Sequence, residues 1–223
     1  MKKFFILLFT FFLLGLQSVK SQDFYIEGHV NYNQVDDVDI NNIGTHGGLT
    51  FSNVDASLDY DSDIGLGFEV GALNVSDSDL RIGLSYSETK IELKKASGTG
   101  TVTDGTTTVN LAGSVTKAEF DEVGLSFEND VKSYSLNAYY DLETNGTFTP
   151  YVGVGLGQVD IQNANDKELS KSLYLGGRHS VNDQMYVGLK GAYTMIDGPT
   201  DKLGLTYADI TQKSLSLIVG YNF

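Results

Sequence analysis

The sequence SLSLIVGYNF occupies residues 214–223, and its apolar and polar side chains alternate with a period of two over most of its length. Such alternation is typical of a β-strand with one apolar face. The last residues of soluble domains tend to be polar and poorly ordered. An apolar face that ends on an aromatic residue therefore indicates contact with something other than water. The members of that face are Leu215, Leu217, Val219, Tyr221 and Phe223.

The other end of the chain has the features of an export signal. Two lysines precede the uncharged run FFILLFTFFLLGL at residues 4–16, and small residues follow it. A basic start, an apolar core of about 7–15 residues and a small-residue exit describe a secretory signal peptide. A membrane-spanning helix needs about 20 apolar residues. We therefore expect residues 1–21 to be a signal peptide cleaved after Ser21, and residues 22–223 to form the mature domain.

Charge and composition exclude several classes of function. The chain has 15 basic and 29 acidic residues, a formal net charge of −14. Without Lys2, Lys3 and Lys20, the 12 remaining basic residues against 29 acidic ones give −17. This balance argues against a nucleic-acid partner, because proteins that bind phosphate backbones present a basic face. The sequence contains no cysteine, which excludes disulfides, thiol chemistry and zinc–thiolate sites.

Seven further segments alternate in the same way as the last one. Each has about the ten residues with which a tilted strand crosses a bilayer. Long connections, such as residues 35–61 and 90–131, alternate with short turns, which is the layout of bacterial outer-membrane barrels. The sequence therefore predicts an all-β fold, an eight-stranded antiparallel transmembrane β-barrel. The predicted strands cover residues 24–33, 64–72, 80–87, 134–142, 151–157, 173–181, 185–195 and 214–223.

The second long loop leaves the strand count open. Its segments TTTVNLAGSV (residues 106–115) and FDEVGLSF (residues 120–127) also contain alternating apolar residues. One additional strand is excluded, because both termini of such barrels lie on the periplasmic side and the strand number is even. We predict that both segments form a β-rich extension of the loop. A barrel of ten strands, in which both segments cross the membrane, is the alternative.

The polar face of the predicted strands carries balanced charges. We expect these residues in the periplasmic half of the bore, because they lie close to the short turns or to the start of the first strand. The bore of an eight-stranded barrel is about wide enough for side chains alone, and opposite charges buried there must pair. The sequence thus predicts a plug of ion pairs, with a small diffusion pore as the alternative. This lumen charge layer consists of Glu27, His29, Glu69, Arg81, Asp141, Arg178 and Lys190.

We predict no catalytic centre, cofactor site or metal site. A hydrolase or acyltransferase needs a nucleophile beside a base. His179 and Ser180 are neighbours in a strand and face opposite sides, while His29 faces the bore and His46 lies in the first long loop. A lipid-modifying enzyme is the third and least favoured function.

The passage NAYYDLETNGTFTPYVGVGLG, residues 137–157, resembles the strand–turn–strand signature of small opacity-type and OmpA-like barrels. The closing GYNF resembles the terminal assembly signal that such proteins present to the outer-membrane insertion machinery. The resemblance implies an integral, porin-like protein of the cell outer membrane. Members of this family act in adhesion, immune evasion, envelope stability or weak permeation, and some are surface antigens.

We therefore expect a non-enzymatic outer-membrane protein with a structural or surface-interaction role. Its long acidic loops should carry that role, because loops on rigid scaffolds usually carry recognition. The expected partners are outer-membrane lipids, lipopolysaccharide and the insertion machinery, and we expect a monomer. Aromatic residues should mark both membrane interfaces. The predicted set is Tyr32, Tyr60, Tyr86 and Tyr193 on the outer side, and Phe24, Tyr140, Tyr221 and Phe223 on the inner side.

Overall fold

The computed structural model describes most of the chain after residue 22. The predicted signal peptide, residues 1–21, lies outside the described residues and stays a prediction. Within the described part, no helix is long and apolar enough to cross a membrane. The described ranges are residues 23–42, 44–46, 48–75, 78–122, 128–144, 146–202 and 204–223.

The described residues form thirteen strands and one short helix. In chain order these are β1 Phe24–Val35, β2 Val38–Asn42, β3 Thr45–His46, β4 Leu49–Tyr60, β5 Asp63–Ala72, β6 Leu80–Thr103, β7 Thr108–Thr116, α1 Lys117–Glu122, β8 Glu128–Asp141, β9 Phe148–Ile161, β10 Glu168–Ser180, β11 Met185–Ile196, β12 Thr206–Tyr207 and β13 Ile210–Asn222.

Eight of these strands close into one antiparallel ring. Around the ring the order is β1, β5, β6, β8, β9, β10, β11 and β13, and β13 pairs with β1 to complete it. In a closed sheet every strand has two neighbours, so its backbone groups are paired where hydrocarbon could not hydrogen-bond them. The predicted eight-stranded antiparallel barrel is therefore confirmed.

Strand alternation sends apolar side chains to the outside of the ring and small or polar ones to the inside. In β13, Leu215, Leu217 and Val219 are 56%, 65% and 57% exposed, whereas Ser216 and Ile218 between them are each 2% exposed. The same contrast recurs around the ring, so an apolar band faces outward, as contact with lipid requires. Other members of the band include Ile64, Leu66, Val154, Leu156, Leu173, Leu175 and Leu189.

The register around the short turn between β10 and β11 places two cations on the inward face. The Val181 N–H donates to the carbonyl of Met185 at 2.8 Å. Arg178 then lies opposite Gly188, and Lys190 lies one diagonal step further along β11. A slip of one residue would have turned every inward side chain of one strand outward, so this register keeps both cations in the bore.

The long β6 continues beyond the ring and organises an extension on the side of the long loops. β6 has 24 residues, and its outer half pairs with β4 on one edge and with β7 on the other. In the part of the chain that the structure describes, β6 is the only strand that pairs with β7. Because β7 is not inserted into the ring, the ten-strand alternative is wrong.

Part of the predicted β-rich extension is helical. Residues 120–122 belong to α1, so their assignment to a strand is wrong, and residues 123–127 lie outside the described residues. Thr116 donates to Glu119 Oε2 from its backbone N–H and its hydroxyl, each at 2.8 Å. A threonine followed three residues later by a glutamate is a capping box, which stabilises the first turn of a helix. Here the local capping signal overrides the alternation of apolar residues.

The outward apolar face generates a first prediction. We expect Leu217→Arg to lower the free energy of unfolding in phospholipid vesicles by about 2–4 kcal/mol, because it places a charge near the middle of the hydrocarbon layer. Leu111 in β7 is also exposed, at 47%, but lies in the extension, so Leu111→Arg should have little effect. Urea titration of both refolded variants measures the difference. Equal effects of the two substitutions would contradict a lipid-facing position for Leu217.

Candidate functional site

The structure brings together the predicted charge layer at the end of the bore that holds the short turns. Asp141 lies between two cations, with its Oδ2 atom 2.5 Å from Arg178 Nη2 and 3.0 Å from Arg81 Nε. Both oxygens of Asp141 accept from Arg81 Nε, at 3.0 and 3.1 Å. One carboxylate therefore links β8 to its neighbour β6 and to β10, two strands away.

The network continues from Arg81 across the bore. Arg81 Nη1 lies 4.0 Å from Glu27 Oε2, and Lys190 Nζ lies 3.2 Å from Glu27 Oε1 and 4.0 Å from Glu69 Oε2. The side chains of Glu69, Arg81 and Glu27 are at most 2% exposed. The layer contains three acids and three bases and is therefore formally neutral. The acids are Glu27, Glu69 and Asp141, and the bases are Arg81, Arg178 and Lys190.

Glu69 accepts hydrogen bonds from three different side chains of this layer. Its Oε1 accepts from the Tyr25 hydroxyl at 2.5 Å, and its Oε2 accepts from Asn137 Nδ2 at 2.7 Å and from the Tyr139 hydroxyl at 2.8 Å. Hydrogen bonds to an ionised acceptor are stronger than neutral ones, and these three compensate the loss of water around a buried charge. The role of Asn137 is not apparent from the sequence, because an inward asparagine does not reveal which charge it contacts.

Tyrosine rings fill the remaining space around the ion pairs. The Arg81 guanidinium carbon lies 4.6 Å from the centre of the Tyr139 ring and 4.7 Å from that of Tyr151, which are cation–π distances. Lys190 Nζ reaches Glu69 on β5 and lies 5.8 Å from the Tyr139 ring on β8. Since both strands are three positions from β11 around the ring, the Lys190 side chain spans the bore.

Two glycines show how tightly this layer is packed. A Cβ atom on Gly83 would lie 2.5 Å from Glu69 Oε1, and one on Gly155 would lie 2.5 Å from Asn137 Oδ1. Neither position could hold a larger residue without displacing the buried polar atoms. The inward glycines thus make room for charged groups and tyrosines that reach across the bore.

The three histidines are dispersed. His29 is 7% exposed in the bore and lies against Gly67, but its Nδ1 has no hydrogen-bond partner among the described residues. His29 is therefore buried beside the ion-pair network, and its role in the charge layer stays a prediction. His179 faces outward, with Nδ1 3.3 Å from the Thr147 hydroxyl. His46 belongs to β3, and its side chain lies outside the described residues.

The residues predicted as the assembly signal occupy the outer face of β13 near its end. Phe223 is 70% exposed, and its ring lies 5.0 Å from that of Tyr221 at a steep angle. Its backbone N–H donates to the carbonyl of Phe24 at 2.8 Å, which ties the end of the chain to the start of β1. The aromatic pair is thus displayed on the surface beside the seam where the ring closes.

One of the tyrosines predicted for the outer membrane interface lies inside the barrel mouth instead. Tyr32 and Tyr193 lie on the outer face, with exposed fractions of 54% and 43%. Tyr60, in contrast, packs against a buried apolar cluster inside the mouth of the ring, so its assignment to the outer aromatic belt is wrong. Burial raises the pKa of this phenol to about 12, and it stays neutral at physiological pH.

That apolar cluster is a second core, located where the ring strands meet the extension. It encloses a cavity of about 400 Å³. This core is not apparent from the sequence, because the predicted strands stop short of it. Its members on the ring strands continue the inward series of those strands, whereas Val38 comes from β2. The cluster consists of buried Val35, Val38, Val131, Val159, Ile196 and Ile210, with Tyr60, Ile91, Ile161 and Tyr207 packed against it.

An acidic cleft of about 520 Å³ adjoins the apolar cavity and shares Val35 and Tyr60 with it. Lys94 is the basic residue of its lining and lies 3.0 Å from Asp59 Oδ2. The cleft therefore keeps an excess of negative charge. Its four carboxylates belong to Asp36, Asp37, Asp59 and Asp61.

A closed ring with an apolar exterior, a filled polar interior and an extension on the side of the long loops defines an integral outer-membrane β-barrel protein. The chain belongs to the outer membrane protein beta-barrel domain family, whose model matches residues 4–223. It is therefore a protein of the cell outer membrane, of the small opacity and OmpA-like type that the sequence resembles.

Solved structures resemble this chain over nearly its whole length. The crystal structure of Neisserial surface protein A (NspA) has a TM-score of 0.55 at 14% identity and covers 90% of this chain and 97% of that one. The solid-state NMR structure of outer membrane protein AlkL in DMPC bilayers has a TM-score of 0.47 at 18% identity, covering 93% of each chain.

The crystal structure of Ail, the attachment invasion locus protein of Yersinia pestis, has a TM-score of 0.45 at 12% identity. It was solved in complex with the heparin analogue sucrose octasulfate, and the match covers 92% of this chain and 100% of that one. Of these, only the likeness to NspA has a TM-score above 0.5, and at 14% identity it shows the fold alone. No curated protein matches this chain.

The buried network generates a second prediction. We expect Arg81→Met to lower the free energy of unfolding by about 3–5 kcal/mol, because it leaves Asp141 and Glu27 short of a counter-charge. The pair between Lys171 and Asp197 is exposed and 3.3 Å long, so Lys171→Met should cost less than about 1 kcal/mol. Urea titration in vesicles compares the two variants. A loss for Arg81→Met as small as that for Lys171→Met would contradict a compensated charge layer.

Proposed function

We propose that this protein is a non-catalytic outer-membrane barrel with a closed bore, which acts in envelope structure or surface interaction through its extension. The observation that carries the proposal is the filled charge layer, in which Lys190 reaches groups on β5 and β8 across the bore. A bore occupied by paired side chains favours a scaffold over a conduit, because any solute would have to displace buried ion pairs.

The extension is the part of the molecule suited to recognition. β4, β7 and the outer half of β6 form a sheet supported by the rigid ring, and loops on rigid scaffolds commonly carry binding functions. Residues 36–62 contain six aspartates and neither lysine nor arginine. This charge favours partners that are basic or that are bridged by cations, and disfavours nucleic acid.

The remaining partners follow from the outer membrane. We propose that the apolar band contacts lipid and that the aspartates of residues 36–62 lie beside lipopolysaccharide. We also propose that the terminal face of β13 is read by the insertion machinery and that the barrel acts as a monomer. The closed ring supports the last point, since it leaves none of its eight strands with a free edge for another copy.

The extension tests the proposed role. Residues 97–114 can be replaced by Asn-Gly, a tight hairpin turn, because Ala96 and Val115 are paired across β6 and β7. We expect cells that display this variant to adhere to one another and to surfaces less than cells with the intact protein, while the ring still inserts. In planar bilayers neither protein should produce conductance steps.

Heat-modifiable mobility on gels serves as the control that the shortened variant still inserts. Steady conductance steps from the intact protein at neutral pH would favour the diffusion pore instead. Unchanged adhesion of cells with the shortened variant would contradict the role of the extension, and a changed lipid A product on expression would point to the lipid-modifying enzyme.

A separate prediction concerns the assembly signal. Deletion of Phe223 removes the exposed ring that contacts Tyr221 edge to face, and we expect a marked loss of heat-modifiable protein from the outer-membrane fraction. Phe148, which is 53% exposed on the outer face near the start of β9, provides the matched control. Phe148→Ala should insert normally. Normal insertion of the deletion variant would contradict the signal function of the last residue.

A further inference from the structure

The apolar cavity in the mouth of the ring has the features of a ligand site. Its floor lies above the polar part of the bore, where Gln212 Nε2 donates to Asn33 Oδ1 at 2.9 Å. Its walls come from the outer ends of the ring strands, from β2 and β4, and from the loops after β9 and β11. Most of its lining is aliphatic or aromatic, including Leu58, Leu93, Pro199 and Leu205 together with the buried cluster.

The described residues of the loop between β11 and β13, residues 197–202 and 204–209, form a strap over this cavity. On one side it pairs with the loop after β9, where the Lys202 N–H donates to the carbonyl of Asn163 at 3.1 Å. On the other side β12 pairs with β2, and the Ala208 N–H donates to the carbonyl of Asp39 at 2.8 Å. Because the strap is anchored at both sides, the cavity is held open rather than collapsed by the loops around it.

The polar side chains of the lining are engaged with one another. Asn163 donates to Asn129 at 2.5 Å, and Lys202 Nζ donates to the carbonyl of Gln162 at 2.9 Å. Asp201 accepts from the Tyr207 hydroxyl at 2.9 Å. Burial, followed by this hydrogen bond, raises the pKa of Tyr207, so the phenol stays a donor. Because these groups already have hydrogen-bond partners, they leave few hydrogen-bonding sites for water inside the cavity.

The size and chemistry of the cavity select an apolar ligand. Apolar cavities of about 150 Å³ stay dry and bind benzene. On that scale about 400 Å³ accommodates roughly ten to sixteen carbon atoms. A ligand that fills it would gain van der Waals contacts with the apolar walls, which is favourable. Small-molecule sites in proteins are commonly apolar pockets of about this volume, with a few polar groups at the rim.

The charge around the cavity restricts the head group of such a ligand. Within the lining, Asp201 and Lys202 have opposite charges. The adjoining cleft is lined by four aspartates and one lysine, and Lys213 pairs with one of the aspartates, Asp36, at 2.7 Å, which leaves two negative charges in excess. The cleft meets the cavity at Val35 and Tyr60. An anionic head group would therefore be repelled, whereas a neutral or cationic one would not.

We infer that the mouth of the barrel binds an aliphatic ligand of roughly ten to sixteen carbon atoms that carries no negative charge. Its hydrocarbon part occupies the cavity between the buried cluster and the strap. The exposed side chains of Asn163 and Lys202 mark the side of the cavity that meets solvent. This inference is independent of what the extension binds, since it concerns the interior of the mouth.

A single tryptophan can report on the site, because the chain has none. Tyr60→Trp places the reporter in the cavity wall with little change in shape, and Tyr193→Trp places one on the lipid-facing surface. In nanodiscs, ω-bromododecanol should quench the Tyr60→Trp reporter saturably. The Tyr193→Trp reporter should be quenched only in proportion to the bromoalkanol dissolved in lipid. Adding Val131→Phe to Tyr60→Trp puts an aromatic ring into the cavity and should weaken the saturable part.

Head-group analogues test the charge restriction. We expect ω-bromododecyltrimethylammonium to bind at least as well as the alcohol, and ω-bromododecanoate about fivefold more weakly. That factor corresponds to the roughly 1 kcal/mol between two charges 4 Å apart in water. Heat-modifiable mobility verifies that each variant is folded, and Ile196→Phe replaces Val131→Phe if the latter does not insert.

The outcomes separate cleanly. Quenching of Tyr60→Trp that rises linearly, in parallel with Tyr193→Trp, would show that the ligand is only in the lipid and would overturn the inference. Saturable quenching that a folded cavity-filling variant does not reduce would also overturn it. Equal or tighter binding of the carboxylate would overturn the charge restriction. Adhesion and conductance do not enter these measurements, so they test the cavity separately from the proposed function.

Discussion

A fully buried carboxylate, that of Glu69, is the constraint on which the interior of the barrel depends. Its charge would be strongly unfavourable in a narrow bore unless donors and an opposite charge surrounded it. Tyr25 and Tyr139 supply hydroxyl donors from β1 and β8, and Lys190 supplies positive charge from β11. These partners are themselves buried and need partners of their own, so one acid on β5 imposes order on strands around the whole ring.

Much of this architecture could be predicted from the sequence because period-two alternation encodes both the strand and the face. Once Leu217 and Val219 are assigned to lipid, the face of the sheet that every paired residue occupies follows. The pairing of Arg178 with Gly188 was predictable from the length of the turn between their strands. The pairing inside the bore was not predictable in the same detail. Parity states which residues face inward, but contacts such as that of Asn137 with Glu69 depend on three-dimensional packing.

The ends of the strands show where the sequence is least informative. The outward apolar face stops at the membrane surface, and the predicted strands therefore stopped there. The hydrogen-bonded ladder continues beyond the bilayer, because backbone pairing does not require lipid. Val35, Ile91 and Val131 continue the inward series of their strands with unbroken parity, so the apolar mouth was encoded in positions assigned to loops. Likewise, the sequence contains the Thr116–Glu119 capping box, which indicates a helix start. The alternation of apolar residues alone predicts strands there.

The interior is thus divided along the barrel axis into an ionic layer near the short turns, a polar layer that includes Asn33 and Gln212, and an apolar mouth. A hydrocarbon group that fits the mouth cannot continue toward the periplasm without desolvating the polar layer and displacing paired charges. An ion from outside the cell that could exchange with the charge layer would first have to enter the apolar mouth. Because each layer excludes the solutes that the other accepts, the order of layers favours retention at the extracellular end over passage through the barrel. The site in the mouth is therefore one for binding, and its occupant would be exchanged with the outside of the cell.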